Sequence, residues 1–207
     1  MSTRYIGRDN VRKRLAPLEG TPGRTVYADG SASLFGAETL VVRPTFGLAH
    51  EGTYERLHVA PLLEAIAADH LVAVFLVRLG GYAVGVFEGE KLVASKVGSR
   101  FVKNRHKKGG SSANRFRRRR EEQAKALVEE AAEVAATVLT RWRERAEFTA
   151  LGGDQRAVEA GLATRPDLAW LRERAIPRFL DVPEPRHRTL EALPYDLYAV
   201  EVDERTN

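Results

Sequence analysis

The stretch from 71 to 99 reads LVAVFLVRLGGYAVGVFEGEKLVASKVGS and contains three apolar runs separated by two short turns. The first turn is the glycine pair 80–81, and Gly89 lies in the second. Glycine adopts the positive φ angles that tight hairpin turns require. The spacing therefore predicts an antiparallel meander, with strands at 71–79, 82–90 and 91–99.

A long helix is predicted after the meander. Residues 112–147 contain neither Gly nor Pro. Apolar residues recur every three or four positions, which is the period of one helix face. At about 1.5 Å per residue the helix would extend ~50 Å. The predicted apolar face consists of Leu127, Ala131, Val134, Val138 and Trp142.

Shorter elements are predicted on both sides of this core. They are a helix at 59–70, strands at 39–46, 147–153, 178–182 and 196–204, and helices at 154–163 and 166–175. Most of residues 1–58 is rich in turn-forming residues and shows no regular period. Strands interspersed with helices indicate an α/β fold with a mixed sheet. We expect a small N-terminal extension, 1–58, and an α/β domain, 59–207.

The composition narrows the class of protein. The chain has no cysteine, which excludes disulfides, thiolate catalysis and the common zinc sites that use cysteine. Its first residues lack the apolar core of a signal peptide, and no run of eighteen apolar residues occurs. We therefore expect a cytoplasmic protein with no membrane association.

Positive charge is concentrated in one short segment. Residues 96–120 contain eleven of the 33 Lys and Arg residues and no acidic residue. The rest of the chain has 22 basic and 28 acidic residues, a net charge of −6. This distribution is typical of a protein that binds a polyanion such as RNA. The predicted RNA-binding residues are Lys96, Arg100, Lys103, Arg105, His106, Lys107, Lys108, Arg115, Arg117, Arg118, Arg119 and Arg120.

Four consecutive arginines, 117–120, form what we call the arginine turn of the long helix. Successive helical residues are about 100° apart, so these side chains surround most of the axis. Burying one face would bury a guanidinium, which costs several kcal/mol unless it is paired. We therefore expect the helix to dock on the sheet only from Leu127 onward. Glu121 and Glu122 are expected to pair with the arginines four residues earlier.

A glycine-serine segment precedes the arginine turn. Gly109 and Gly110 permit close backbone approach to a ligand. Ser111 or Ser112 is suited to cap the helix, and free amides at its start would bind an anion.

One known family resembles this arrangement. Its motifs match VRLGGYAVGVFEGEKLVASKVGSRFVKNRHKKGGSSANRFRRRREEQAKALVEEAAEVA, residues 77–135. The stretch resembles the catalytic core of the eukaryotic-type class I peptide release factors, and most closely their Vms-like branch with its bacterial peptidyl-tRNA hydrolases. The resemblance implies a ribonuclease-H-like fold and a long projecting basic helix after a glycine-rich loop. It also implies that the loop enters the peptidyl transferase centre and promotes hydrolysis of the ester between peptide and tRNA.

The catalytic position departs from the family pattern. The family has a glutamine shortly after its glycines, whereas Ala113 stands there in this chain. By the resemblance, the candidate catalytic residues are Gly109, Gly110, Ser111, Ser112, Ala113 and Asn114. Three accounts are open: an engineered inactive variant, catalysis by backbone amides and a tRNA hydroxyl, or substitution by Asn114. Ribosome binding should survive in each case.

The expected partners follow from the same resemblance. They are the large ribosomal subunit and peptidyl-tRNA, and the protein is expected to be a monomer off the ribosome. Too few residues precede the core for a codon-reading domain, which favours rescue of stalled subunits over stop-codon reading. Ester hydrolysis by a positioned water needs no metal or other cofactor, and none is expected.

Two other functions are alternatives to peptidyl-tRNA hydrolysis. A non-catalytic ribosome- or RNA-binding module is favoured by Ala113. A metal-dependent nuclease would need clustered carboxylates, usually on central strands. Strands 71–79 and 91–99 contain none, and Glu88 and Glu90 lie at a hairpin turn.

Overall fold

The structure is a computed structural model that describes residues 2–99 and 111–205. Its helices are α1 (Arg8–Leu15), α2 (Ala60–Ala67), α3 (Ser111–Leu139), α4 (Gln155–Thr164), α5 (Trp170–Glu173) and α6 (His187–Leu197). Its strands are β1 (Ser2–Ile6), β2 (Pro22–Ala28), β3 (Ser31–Phe35), β4 (Thr39–Arg43), β5 (Gly52–Arg56), β6 (Leu71–Arg78), β7 (Gly81–Glu88), β8 (Lys91–Ser99), β9 (Phe148–Gly153) and β10 (Val200–Arg205). No helix in these ranges is both long and apolar enough to cross a bilayer.

The chain forms two compact units. The first contains Met1–Asp69 and Leu193–Asn207, and the second contains His70–Ala192. These bounds differ from the division at residue 58 that the sequence suggested. Helix α2 buries Leu62 and Ile66 in the first unit, and β10 pairs with β1 and β4.

The first unit is built on a six-stranded sheet, of which the sequence predicted only the strands that correspond to β4 and β10. Residues 1–58, expected to be mostly irregular, contribute five strands, and with β10 they form a sheet in the order β1-β10-β4-β3-β2-β5. The β2–β3 hairpin turns at Asp29 and Gly30, which both have positive φ. These strands are short, and β1 finds its partner, β10, only at the other end of the chain. A local sequence pattern does not reveal such a pairing.

The second unit contains the predicted meander. Strands β6, β7 and β8 pair antiparallel, while β9 pairs parallel to β6 in the order β8-β7-β6-β9. Gly80 and Gly89 lie in the two turns with positive φ. The predicted meander and mixed α/β class are confirmed, with strand bounds within two residues of those expected.

The C-terminal third of the chain corrects several predictions. The expected strand 178–182 is reduced to a single bridge between Gly152 and Leu180. The expected helix 166–175 is a 3₁₀ turn, Pro166–Leu168, followed by α5. Helix α6 was not predicted. It contains Pro194, a residue that normally argues against a helix interior. It occupies the beginning of the expected strand 196–204.

Helix α3 ends earlier than the sequence suggested. Its 29 residues extend about 43 Å, and a 3₁₀ turn, Thr140–Trp142, follows. Its buried face is also rotated: Val134, Val138 and Trp142 are only partly buried. Small alanine side chains let the helix approach the sheet closely. The buried residues are Leu127, Val128, Ala131, Ala132, Ala135, Ala136 and Leu139.

This rotation gives a testable difference between two positions. Leu127 is 1% exposed, so Leu127→Ala should lower the free energy of unfolding by about 2–5 kcal/mol. Val134→Ala should cost only about 1 kcal/mol, because less apolar area is lost from the core. Urea unfolding of both variants measures the difference. Equal losses of unfolding free energy would show that Val134 is buried as deeply as Leu127, as the sequence pattern predicts.

Candidate functional site

The start of α3 holds part of the predicted catalytic segment. The backbone of Ser111, Ser112, Ala113 and Asn114 forms its first turn. The other predicted residues of the loop lie outside the described residues, and their roles stay predictions. They are Arg100, Lys103, Arg105, His106, Lys107, Lys108, Gly109 and Gly110.

The arginine turn lies at the surface of the second unit. Arg115, Arg117, Arg118 and Arg119 are exposed, and Arg120 is partly exposed. The Arg118 side chain retains 84% of its accessible area. Among the described side chains of α3, the first buried one is Leu127. Docking of the helix from this position agrees with the expectation from the sequence.

Two acidic side chains partly balance the arginine turn. Arg118 Nε donates to Glu122 Oε1 at 3.1 Å, and Arg117 Nε lies 3.8 Å from Glu121 Oε1. Exposed pairs of this kind contribute a few tenths of a kcal/mol. Within the described parts of the chain, no acidic oxygen lies within 4 Å of Arg119 or Arg120. The turn therefore presents excess positive charge to solvent.

Lys96 lies on β8 rather than on the helix. It is exposed and stands opposite Val84 of β7. The structure thus describes one predicted RNA-binding residue on the sheet and five at the start of α3, all in the second unit. A basic surface at the start of a helix can contact phosphate oxygens through charge and hydrogen bonds.

A buried tyrosine ties α3 to the sheet. Tyr82 Oη donates to Glu130 Oε1 at 3.1 Å. Burial, followed by the hydrogen bond to Glu130, raises the pKa of Tyr82 to about 12, which keeps the hydroxyl protonated. The ring crosses Gly98, where a Cβ atom would lie 2.3 Å from Tyr82 Oη. Gly98 is therefore required for Tyr82 to reach the helix.

This contact gives a second prediction. Gly98→Ala should lower the free energy of unfolding by about 1–3 kcal/mol, because the added methyl group displaces a packed ring. Tyr82→Phe should cost only about 0.5–1.5 kcal/mol, the usual contribution of one hydrogen bond. A thermodynamic cycle of Gly98→Ala with Tyr82→Ala measures the coupling. Additive effects would contradict a steric contact between the two residues.

No role for Tyr82, Gly98 or Glu130 was predicted from the sequence. A signal was present: in the predicted meander, Tyr82 stands directly opposite Gly98. An aromatic residue facing a glycine across a strand pair indicates that the ring lies over the neighbouring backbone. The position of Glu130 on α3 could be matched to this ring only with the helix placed on the sheet.

The two carboxylates near the meander do not lie on the central part of a strand. Glu88 ends β7 and is exposed, and Glu90 lies exposed in the following turn. Within the described ranges, no three His, Asp or Glu side chains gather closely enough to hold a metal ion.

Residues 70–203 match the acVLRF1 family, described as the Actinobacteria/chloroflexi VLRF1 release factor. The chain belongs to the VLRF1 release-factor family. The matched span contains the meander, the basic segment and all of α3. The resemblance to Vms-like release factors that the sequence predicted is confirmed.

Solved structures similar to this VLRF1-family chain include three factors at low identity. The archaeal termination factor aRF1 has a TM-score of 0.47 and 15% identity, over 77% of this chain and 50% of its own. The Vms1 mitochondrial localization core has a TM-score of 0.44 and 13% identity, over 93% and 80%. Pelota from Archaeoglobus fulgidus has a TM-score of 0.35 and 10% identity, over 91% and 58%. The chain thus spans half the length of the archaeal factor. No curated protein gives a significant match.

Proposed function

We propose that this VLRF1-family protein is a ribosome-associated peptidyl-tRNA hydrolase that rescues stalled large subunits. Its second unit would act as a ribonuclease-H-like catalytic domain, and its partners would be large-subunit RNA and peptidyl-tRNA. We further propose that it works in the cytoplasm and is a monomer off the ribosome. The observation that carries the proposal is the exposed arginine turn on a helix that is buried only from Leu127 onward.

The arrangement of α3 suits a deep RNA-lined site. From Ser111 to Ala126, helix α3 has no buried side chain among those described, a length of about 24 Å. Positive side chains along it would contact phosphates and offset the repulsion between neighbouring arginines. The segment that precedes the helix would then be carried furthest into the site.

The proposed chemistry is attack of water on the ester carbonyl carbon. The bond from this carbon to the tRNA oxygen breaks, and that oxygen takes up a proton. Catalysis requires a positioned water and stabilisation of the developing oxyanion. Amides at Gly109 and Gly110 and the hydroxyls of Ser111 and Ser112 are suited to these tasks. Ala113 holds the family's glutamine position, and Asn114 offers a shorter amide.

The second candidate function is a non-catalytic RNA-binding module on the ribosome. Ala113 favours it, because alanine has no group that can orient water. The two functions share the arginine turn and differ only in turnover. The rate of peptide release therefore distinguishes the two functions.

One experiment tests both functions. Purified large subunits carrying peptidyl-tRNA are mixed with the protein, and both binding and peptide release are measured. Binding with release above the spontaneous rate supports the hydrolase. Binding without release favours the non-catalytic module. Absence of binding at low ionic strength overturns both.

A further inference from the structure

A second group of arginines lies at the far end of α3. Arg141, Arg143 and Arg145 belong to the 3₁₀ turn and the residues just after it, and all three side chains are exposed. Within the run 141–145 the one acidic residue is Glu144. We call Arg141, Arg143 and Arg145 the distal arginines.

Two of the distal arginines are positioned by an aromatic ring. The Cζ atoms of Arg141 and Arg145 lie 5.6 Å and 5.1 Å from the ring centroid of Trp142. Such cation–π contacts contribute about 0.5–1 kcal/mol at exposed sites. They also restrict the side-chain rotamers, so less conformational entropy is lost when a ligand binds.

A fourth arginine, Arg174, hydrogen-bonds to the backbone that carries the distal arginines. Arg174 Nη1 donates to the carbonyl oxygen of Ala146 at 2.7 Å and also to that of Arg143. Arg174 is only partly exposed. It therefore fixes the backbone that carries the distal arginines and adds its own positive charge.

Two neighbouring carboxylates accept hydrogen bonds from other residues. Glu147 accepts hydrogen bonds from His70 Nδ1 at 2.9 Å and from the Leu71 amide at 3.0 Å. Asp167 accepts two hydrogen bonds from Arg165, both at 2.9 Å. Asp167 also interacts electrostatically with Arg143, and Glu144 lies within the run itself. The three exposed arginines still carry excess positive charge, and a bound anion would relieve the repulsion between them.

We infer that the distal arginines form a second RNA-contact surface, which binds phosphates of large-subunit RNA. The inference rests on the proposed ribosomal role. The planar fork of arginine matches phosphate geometry bidentately, and Trp142 orients two of the three forks. In the proposed reaction the tRNA ester lies at the start of α3, about 43 Å from its end. Large-subunit RNA, the proposed partner of the arginine turn on the same helix, is the polyanion that we assign to this surface, and the test below distinguishes it from tRNA.

The test replaces all three distal arginines with glutamine. Binding to purified large subunits is measured over a range of salt concentrations. We expect about tenfold weaker binding at moderate salt and a salt slope smaller by about two, since each phosphate contact contributes roughly 0.7–0.9. Arg→Lys changes at the same positions keep the charge and should keep the slope. The matched control is R156Q/R172Q/R186Q, which removes three exposed arginines elsewhere in the second unit.

Each outcome decides the inference. A Gln variant that binds like the control overturns the second surface. If replacing Arg117, Arg118, Arg119 and Arg120 with glutamine nonetheless weakens binding, the proposed function stands. A Lys variant with the slope of the Gln variant also overturns the electrostatic contact. If the Gln variant binds free tRNA more weakly but binds subunits as the unmodified protein does, the ligand of the distal arginines is tRNA and not ribosomal RNA. If the unmodified protein does not bind subunits, both proposals fail. Urea unfolding confirms that each variant is folded.

Discussion

Ala113→Gln should raise peptidyl-tRNA hydrolysis on large subunits by about 10²- to 10³-fold, the usual effect of one group that acts on the transition state. Ala113 is the third residue of α3, and in the proposed function it takes the position of the family's glutamine. A glutamine amide can both donate to an oxyanion and accept from water, and alanine can do neither. Release of labelled peptide under single-turnover conditions measures the change.

The control for this prediction is Ala113→Met, which adds a side chain of similar length without an amide. It should hydrolyse at the rate of the unmodified protein. Both variants should bind subunits as the unmodified protein does, because the arginine turn is unchanged. Equal rates for the Gln and Met variants would remove position 113 from the mechanism. They would also favour the non-catalytic module if both rates stay at the spontaneous level.

Replacing Arg117, Arg118, Arg119 and Arg120 with glutamine should weaken binding to large subunits by about 10²- to 10³-fold at 0.1 M salt. Loss of four phosphate contacts would also reduce the salt slope by about three. Little stability should be lost, because the arginine turn is solvated and its ion pairs with Glu121 and Glu122 are weak. Filtration binding from 0.05 to 0.5 M salt gives both quantities.

A matched variant separates position from net charge. The change R156Q/R172Q/R186Q/R188Q removes the same number of positive charges, four, from other exposed positions of the second unit. It should leave the salt slope near that of the unmodified protein. An equal loss in both variants would mean that binding depends on overall charge, and the specific role of the arginine turn would be abandoned.

Elements with a local signal were predicted well from the sequence. Strands β6 and β7 are apolar along nearly their whole length and are joined at Gly80 and Gly81, so both their class and their bounds were evident. Only part of the buried face of α3 was predicted, because Val134 and Val138 looked like core residues. The helix buries alanines instead, which allow it to lie closer to the sheet.

Elements that depend on distant partners were missed. Strand β5 has no fully buried side chain, so its sequence lacks the alternation of a half-buried strand. The distal arginines were not recognised because Trp142 was assigned to the apolar face. Their common position depends on Arg174, about thirty residues later in the chain. For the candidate site, the exposed arginine turn followed from the sequence, whereas its anchorage through Tyr82 and Gly98 did not.

The placement of β10 has a consequence for how the protein is made. This strand lies between β1 and β4, so β1 pairs with a segment that is translated only after the whole second unit. During synthesis the second unit can complete its own sheet while the amino-terminal strands are still without their final neighbour. Strand β1 is therefore translated before the second unit but reaches its native pairing only after β10 has been made.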